Sequence, residues 1–374
     1  MEAAGRVLAE AVRSDEDYPD KPRSSVDGYA VRSEETEPRR QVTGEVTAGH
    51  PSDVELRPGT ARRIMTGGVL PPGADTVVMI EDSREEGDDV ILLKLSDAGR
   101  YVHPTGMDLR CGQIMLEAGT VLGAAEIGLL ATIGRQQVSV YRRPKVAVLS
   151  TGDEVTAWTE RPTAGQVRDS NQPALLAAAR EAGAETIGLG RALDQIRDQE
   201  ELILRGVERA DVVISSGGVS MGSRDLIKPI LARLGTVHFG RINFKPGKPL
   251  TFATIGSTLV FGLPGFPVSS LVTFEVFVRP ALRKLQGFPQ VHRAEIAVTL
   301  EHPLTPDSAR LEYQRARVRI VDGELRATTT GAQTSSRLLS MVGANALLKI
   351  EPGTAPLPAG ARVPALLVGE LLAS

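Results

Sequence analysis

Hydroxyls, glycines and an acid follow a short apolar run in Asp211-Val-Val-Ile-Ser-Ser-Gly-Gly-Val-Ser-Met-Gly-Ser-Arg-Asp225. That combination suits phosphate binding. Ser215, Ser216 and Ser220, with the Gly217–Gly218 backbone, offer neutral donors to phosphate oxygens. A helix expected over Asp225–Leu234 would aim its positive N-terminal end at the same place. A plain strand–turn–helix linker is the competing reading. Two more apolar runs end in unusual loops: one in Ser150-Thr151-Gly152-Asp153-Glu154, the other in Gly262-Leu-Pro264-Gly265-Phe-Pro-Val-Ser269. Lys245 and Lys248, in Phe244-Lys-Pro-Gly-Lys-Pro249, set two ammonium charges on a loop stiffened by Pro246 and Pro249. Such point charges suit a diphosphate or an oxyanion, although a solvated turn with incidental lysines reads the same way. Asp153, Glu154 and Asp225 would repel a nearby anion unless a divalent cation bridged them, and Mg²⁺ typically takes one or two carboxylates plus substrate phosphates. Asp225 serves equally as the N-cap of its helix.

These loops need a scaffold that brings them together, and the pattern around them supplies one. Strand-like runs at Lys145–Leu149, Glu185–Leu189 and Asp211–Ile214 alternate with helical runs at Pro173–Glu181, Gln199–Arg209, Asp225–Leu234 and Val268–Leu285. That alternation predicts an α/β domain with a mostly parallel sheet. Pro249–Ala253 and Thr258–Phe261 predict a terminal hairpin on it. Loops at the carboxyl ends of strands in an open sheet share one edge, where ligands bind.

The flanks read differently. Ala3–Arg13 has an alanine-rich helical pattern, and Ala124–Ile133 is a helix stopped at Gly134. Between them, Gln41–Ala48, Thr60–Met65, Thr76–Ile80 and Val90–Leu95 predict a β-rich domain. After His292, strands near Glu295–Leu300, Arg315–Val321, Glu324–Thr328 and Ala346–Ile350 predict a small barrel or sandwich.

Composition narrows the function. A chain of 374 residues, 41% hydrophobic and 24% charged, is long enough for several ordinary cores. A formal net charge of −3 and 4% aromatics give no basis for nucleic-acid binding. Without a long apolar run or a signal-peptide pattern, no membrane association is expected, and the expectation is a cytoplasmic protein. Cys111 is the lone cysteine. The five histidines, His50, His103, His238, His292 and His302, lack ligand spacing.

Two N-terminal motifs, Ser24-Ser-Val-Asp27-Gly-Tyr-Ala and Arg63-Ile-Met-Thr66-Gly-Gly, read physically as turns. In order with the motifs above, however, they resemble the molybdopterin molybdotransferase family, which includes bacterial MoeA proteins, their plant counterpart and the gephyrin E domain. Leu311-Glu-Tyr-Gln-Arg315 and Ser335-Ser336-Arg-Leu-Leu-Ser-Met341 extend the resemblance to the tail.

The resemblance implies a homodimer of four-domain subunits. Domain I would comprise residues 1–31 and 119–142, the β-rich domain II 32–118, the molybdopterin-binding α/β domain III 143–288, and the β-barrel domain IV 289–374. It also implies Mg²⁺-dependent insertion of molybdate into adenylylated molybdopterin, releasing AMP, downstream of a molybdopterin adenylyltransferase partner. By the same resemblance, Asp225 and Glu154 hold the metal, with Glu154 also a general-base candidate. Ser215, Ser216, Gly217, Gly218 and Ser220 hold the pyrophosphate–AMP region, and Ser150, Thr151, Gly152, Asp153, Pro249, Pro264 and Gly265 are further substrate-binding residues. Lys245, Lys248 and Ser269 help bind molybdate, with Arg315 and Ser336 adding to that site, and Asp27 and Thr66, which reach across the dimer, join Glu154 and Asp225 as catalytic residues. Two departures stand out: Pro22-Arg23 where many members carry Asp-Asn, and Phe266 where many carry Asn. Two rival functions remain: a non-catalytic carrier or scaffold of the same fold, and a simple nucleotide-binding domain that would explain only residues 145–287.

Overall fold

The computed structural model describes residues 2–218, 226–306 and 309–373. The chain divides into two compact units, Met1–Val140 and Tyr141–Ser374.

The first unit is built on a six-stranded mixed sheet. Its strands are β1 (Gly28–Val31), β2 (Arg39–Val46), β3 (Thr60–Ile64), β4 (Thr76–Met79), β5 (Ser83–Glu86) and β6 (Asp89–Leu92), in the order β4-β1-β3-β2-β6-β5. β1 is buried along its whole length between β3 and β4. Gly28 is required there, because a Cβ would fall 2.0 Å from the Val78 carbonyl oxygen. A second core joins Leu8, Val12, Leu109, Leu116 and Leu122 to α1 (Ala124–Thr132). As expected, Gly134 follows α1 with a left-handed backbone (φ +67°).

The N-terminal segment is not helical. After a turn over residues 2–5, closed by Arg6 N–H to Ala3 O, the chain makes ladder contacts: Leu8 N–H donates to Thr120 O, Ala9 N–H to Ser139 O, and Val12–Arg13 pairs with Ile114–Leu116. Alanine favours a helix only weakly. Burial of Val7, Leu8 and Val12, each no more than 3% exposed, outweighs that preference and draws the backbone into ladder bonds.

In the second unit the alternating pattern folds as expected. The elements are β7 (Lys145–Thr151), α2 (Asn171–Glu181), β8 (Glu185–Ala192), α3 (Ile196–Arg209), β9 (Val212–Ser216), α4 (Ile227–Leu234), β10 (Thr236–Phe239), β11 (Thr251–Ile255) and β12 (Thr258–Leu263). They form one sheet in the order β8-β7-β9-β12-β11-β10. The first four strands are parallel, and the β11–β12 hairpin and β10 complete the sheet antiparallel. β10, which sequence reading passed over, takes the edge beyond the hairpin. Apolar side chains of β7 and β9 enter cores on both faces, one with α2 and the other with α3 and α4, which is why these strands read as unbroken apolar runs. Asp211 pins the start of β9. It accepts from Arg142 Nη1 at 2.6 Å and Lys145 N–H at 2.8 Å, and the Arg142 guanidinium lowers its pKa.

α5 (Pro267–Thr273) continues through a π-type turn over Phe274–Val278 into α6 (Arg279–Leu285). Then come β13 (Glu295–Leu300), β14 (Leu311–Val321), β15 (Glu324–Thr329), β16 (Ala346–Ile350) and β17 (Arg362–Leu367). These five strands close on themselves as a barrel, in the cycle β14-β15-β13-β17-β16. Among the described residues, no helix is long and apolar enough to cross a membrane.

Candidate active site

Parallel pairing sets the register of the loops. Ser150 lies opposite Ser216 and Leu149 opposite Ser215 between β7 and β9, while Ser215 and Ser216 face Gly262 and Leu263 on β12. All three loops therefore leave the same edge of the sheet. Gly217 N–H donates to Leu263 O at 3.1 Å, and a Cβ on Gly265 would lie 3.7 Å from Gly217 Cα. The Ser-Ser-Gly-Gly and Gly-Leu-Pro-Gly turns thus lie backbone against backbone.

Backbone conformation and the neighbouring Thr151 loop dictate Gly217 and Gly218. Gly217 (φ +94°) and Gly218 (φ +68°) hold left-handed conformations that L side chains resist. A Cβ on Gly217 would meet Thr151 Oγ1 at 2.7 Å and Thr151 O at 2.8 Å.

The polar atoms beneath the loops fall into two sets. Ser216 Oγ is engaged: it receives Asn171 Nδ2 at 2.8 Å and lies 3.3 Å from Ser270 Oγ. Asn171 Nδ2 also donates to Gly265 O at 2.7 Å, so a single amide ties two of the loops together. Pro264 O accepts from Ser270 Oγ and Ser216 Oγ. By contrast, Ser150 Oγ, Ser215 Oγ and Gln199 Oε1 are buried without a hydrogen-bond partner. Buried polar atoms are normally satisfied, and exceptions concentrate where ligands or water complete them. Ser150 and Ser215 were expected at this site; Asn171 and Gln199 were not. A usable signal for Asn171 was present, because Asp169 accepts from Asn171 and Gln172 N–H at 3.0 Å each and starts α2 two residues ahead of the Pro173 chosen from pattern.

The acids are distributed unevenly. Asp153 Oδ1 accepts from Asp194 N–H at 3.1 Å and so braces its own loop. Glu154 is exposed and its carboxylate lies over Gly152, where a Cβ would fall 2.7 Å from Oε2. Ser220 and Asp225 lie outside the described residues. No group of three or more His, Cys, Asp or Glu is placed to hold a metal ion among the described residues.

A second cluster adjoins the first through the opening turn of α5. Gly247, between Lys245 and Lys248, packs on Thr273, where its Cβ would lie 2.3 Å from Thr273 Cγ2. Thr273 Oγ1 in turn donates to Ser269 O at 2.7 Å. Phe244–Lys245 adds to the barrel sheet as a short parallel strand, which sets Lys245 opposite Glu312. Its Nζ lies 3.1 Å from Glu312 Oε1, so part of the ammonium charge is compensated within the protein. Lys248 is exposed and Pro249 half-buried. Ser269 is 3% exposed.

Arg315, which was expected to contact the oxyanion, is 1% exposed. It donates from Nε to Ser340 Oγ at 3.1 Å and from Nη2 to Thr334 O at 3.2 Å. Burial brings its pKa down to about 10. It organises the loop carrying Ser336, which is exposed, and Val268 N–H donates to Ser335 O at 3.2 Å to fix that loop on α5.

In the first unit, the two motifs that read as turns meet. Asp27 Oδ1 accepts Thr66 N–H at 2.6 Å and Thr66 Oγ1 at 2.8 Å. These two Thr66 donors, backbone first, hold the Asp27 pKa below its ordinary value, and Arg63 adds to the effect. Reciprocal bonds set the pair: Ser24 N–H to Gly68 O at 2.9 Å and Gly67 N–H to Ser24 O at 2.8 Å. The departing residues Pro22 and Arg23 join this clamp, through Pro22 O to Leu70 N–H and Arg23 Nη1 to Gly67 O.

Comparison with known proteins agrees along the chain. The sequence profile of the MoeA N-terminal region (domain I and II) matches residues 1–134, that of a probable molybdopterin binding domain 147–284, and that of the MoeA C-terminal region (domain IV) 297–368. A molybdopterin molybdenumtransferase of Nostoc is 40% identical over 364 residues, covering 94% of this chain and 84% of that protein. A gephyrin of Dictyostelium discoideum is 36% identical over 98% of this chain, which spans 58% of the gephyrin's length. Among solved structures, a molybdopterin biosynthesis MoeA protein of Pyrococcus horikoshii superposes with a TM-score of 0.84 at 32% identity, covering 99% of this chain and 93% of that one. The chain therefore belongs to the MoeA family of molybdopterin molybdenumtransferases.

Proposed function

We propose that this protein acts in molybdenum cofactor biosynthesis as a transferase, inserting molybdate into the dithiolene of adenylylated molybdopterin and releasing AMP. The observation that carries the reading is the convergence of three strand exits on one edge, with Ser150 Oγ and Ser215 Oγ buried there and unpartnered. Neutral hydroxyls and left-handed glycine amides suit a pyrophosphate that must later be let go, because they bind through hydrogen bonds without a fixed counter-charge. Lys248, Lys245 and Ser269 would receive molybdate, and Arg315 would act by holding the Ser336 loop in place. The relatives' name as molybdenumtransferases supports the chemistry.

In this reading Mg²⁺ assists the release of AMP, and Glu154 is the described residue whose chemistry fits it. An exposed carboxylate at the rim of a phosphate cradle is the donor class Mg²⁺ takes, the remaining ligands coming from phosphates and water. Bound there, the ion would neutralise charge on the leaving phosphate. We also place Asp225 in that role, divide the chain into the four domains given above, and assemble two copies so that Asp27 and Thr66 of each serve the other's site. The substrate would come from a molybdopterin adenylyltransferase.

The test is AMP release from adenylylated molybdopterin with Mg²⁺, with and without molybdate. Molybdate-stimulated release with formation of the cofactor is expected. Tight pterin binding without AMP release would identify a carrier instead.

A further inference from the structure

We infer that Phe266 is a stacking platform for a flat heteroaromatic ring of the substrate, set beside the phosphate cradle. This inference rests on the functional reading above for the identity of the substrate, but not for the binding it predicts.

Phe266 stands where two local rules are broken at once. It is the N-cap of α5, preceding Pro267 at the first helical position, and makes no side-chain cap. Ser, Thr, Asp and Asn are preferred there because a short side-chain oxygen satisfies a free helix N–H, which phenyl cannot do. Phe266 is also 60% exposed, so the position gives up a cap and leaves an aromatic ring in water. A single exposed apolar residue needs no explanation. One that displaces a capping residue at the rim of a binding site fits the rule that local inconsistency gathers where function demands it.

The backbone beneath the ring is held on both sides. Asn171 Nδ2 fixes Gly265 O at 2.7 Å, and Phe266 O accepts Ser270 N–H at 3.0 Å. Gly265 rests against Gly217, placing Phe266 one residue from the cradle. A molybdopterin nucleotide carries a ring system at each end of its phosphates, and either ring can stack on an aromatic face. Stacking on an aromatic is typically worth about 1–3 kcal/mol per base, equivalent to about 5- to 150-fold in affinity.

The test measures binding of AMP, molybdopterin and adenylylated molybdopterin to the wild type and to Phe266→Ala, Phe266→Asn and Phe266→Trp, together with unfolding midpoints. Phe266→Ala and Phe266→Asn are expected to weaken at least one probe about 5- to 150-fold, with Phe266→Trp within about twofold of wild type. Phe266→Asn should also raise the unfolding midpoint by restoring a cap, giving weaker binding with greater stability, a pairing that a purely structural residue would not produce. Loss confined to AMP assigns the ring to adenine, and loss confined to molybdopterin assigns it to pterin.

The inference is overturned if Phe266→Ala leaves all three probes within twofold, if Phe266→Trp is as weak as Phe266→Ala, or if the wild type binds none of them. If binding depends on Phe266 but the wild type releases no AMP with molybdate, the stacking role stands and the transferase reading fails.

Discussion

Gly217→Ala tests whether the site depends on the Gly217 turn packing directly against Thr151. Two separate costs are expected. An L side chain at φ +94° costs about 1–2 kcal/mol from backbone sterics. A methyl driven to 2.7 Å from Thr151 Oγ1 and 2.8 Å from Thr151 O adds an overpacking cost of about 1–3 kcal/mol. Gly256→Ala isolates the first cost. Gly256 lies in the same sheet's hairpin at φ +57° with nothing within 4 Å of its Cβ position. Hydrogen exchange of the buried Val212–Ser216 amides reads how readily the domain opens. Gly217→Ala should exchange about 5- to 150-fold faster than Gly256→Ala, the fold-change equivalent to the extra 1–3 kcal/mol. Exchange rates within twofold of each other would refute the steric argument, and with it the requirement for glycine against Thr151.

Four further outcomes are expected. Asn171→Ala should weaken binding of the pterin nucleotide and cost about 1 kcal/mol of stability, because Ser216 Oγ and Gly265 O lose a shared donor; unchanged affinity would show that the two loops hold each other without it. Lys248→Ala should raise the molybdate concentration for half-maximal AMP release by about tenfold, at the low end for a charge-assisted contact because the residue is exposed. An unchanged molybdate requirement would remove Lys248 from the oxyanion site. The Asp27 carboxylate, whose pKa is lowered by Thr66, stabilises the folded form above its ordinary pKa, and that contribution is lost as pH falls through the lowered value. An NMR titration of the Thr66 amide should therefore turn over below 3.8, the ordinary Asp value, and Asp27→Asn should abolish the transition. Tyr29 moves the other way: burial, then its bond to Glu85, pushes it up to about 12. Its contribution is full below its ordinary 10.0 and fades as pH rises toward 12, so ultraviolet titration should find late phenols for Tyr29 and for Tyr313, which burial also raises, and Tyr29→Phe should remove one of the two.

The parts of this molecule legible in its sequence are those where one physical cause dominates. Val212–Ile214 read as a buried strand because both of its faces are covered, and Gly217–Gly218 read as a tight turn because few other residues tolerate that backbone. Ala3–Arg13 misled because its alanine content reports a weak local preference, while burial of Leu8 and Val12 acts through partners more than a hundred residues away. Arg315 is a different case. A guanidinium in a motif suggests an anion, yet pattern does not reveal whether its donors face solvent or their own chain.

Asp27 and Thr66 mark the boundary between the two cases. Each lies in an ordinary turn, and only their hydrogen bonds across 39 positions of sequence make them one unit. Resemblance grouped them, and the β1–β3 register, with Gly28 opposite Ile64, supplies the mechanism. Phe266 completes the logic from the other side. It departs from the resemblance and from helix-capping preference at the same position, so neither kinship nor local propensity accounts for it. A residue whose side chain neither caps its helix nor buries its ring, yet sits on a backbone pinned by Asn171 and Ser270, is best explained by what it presents to a ligand.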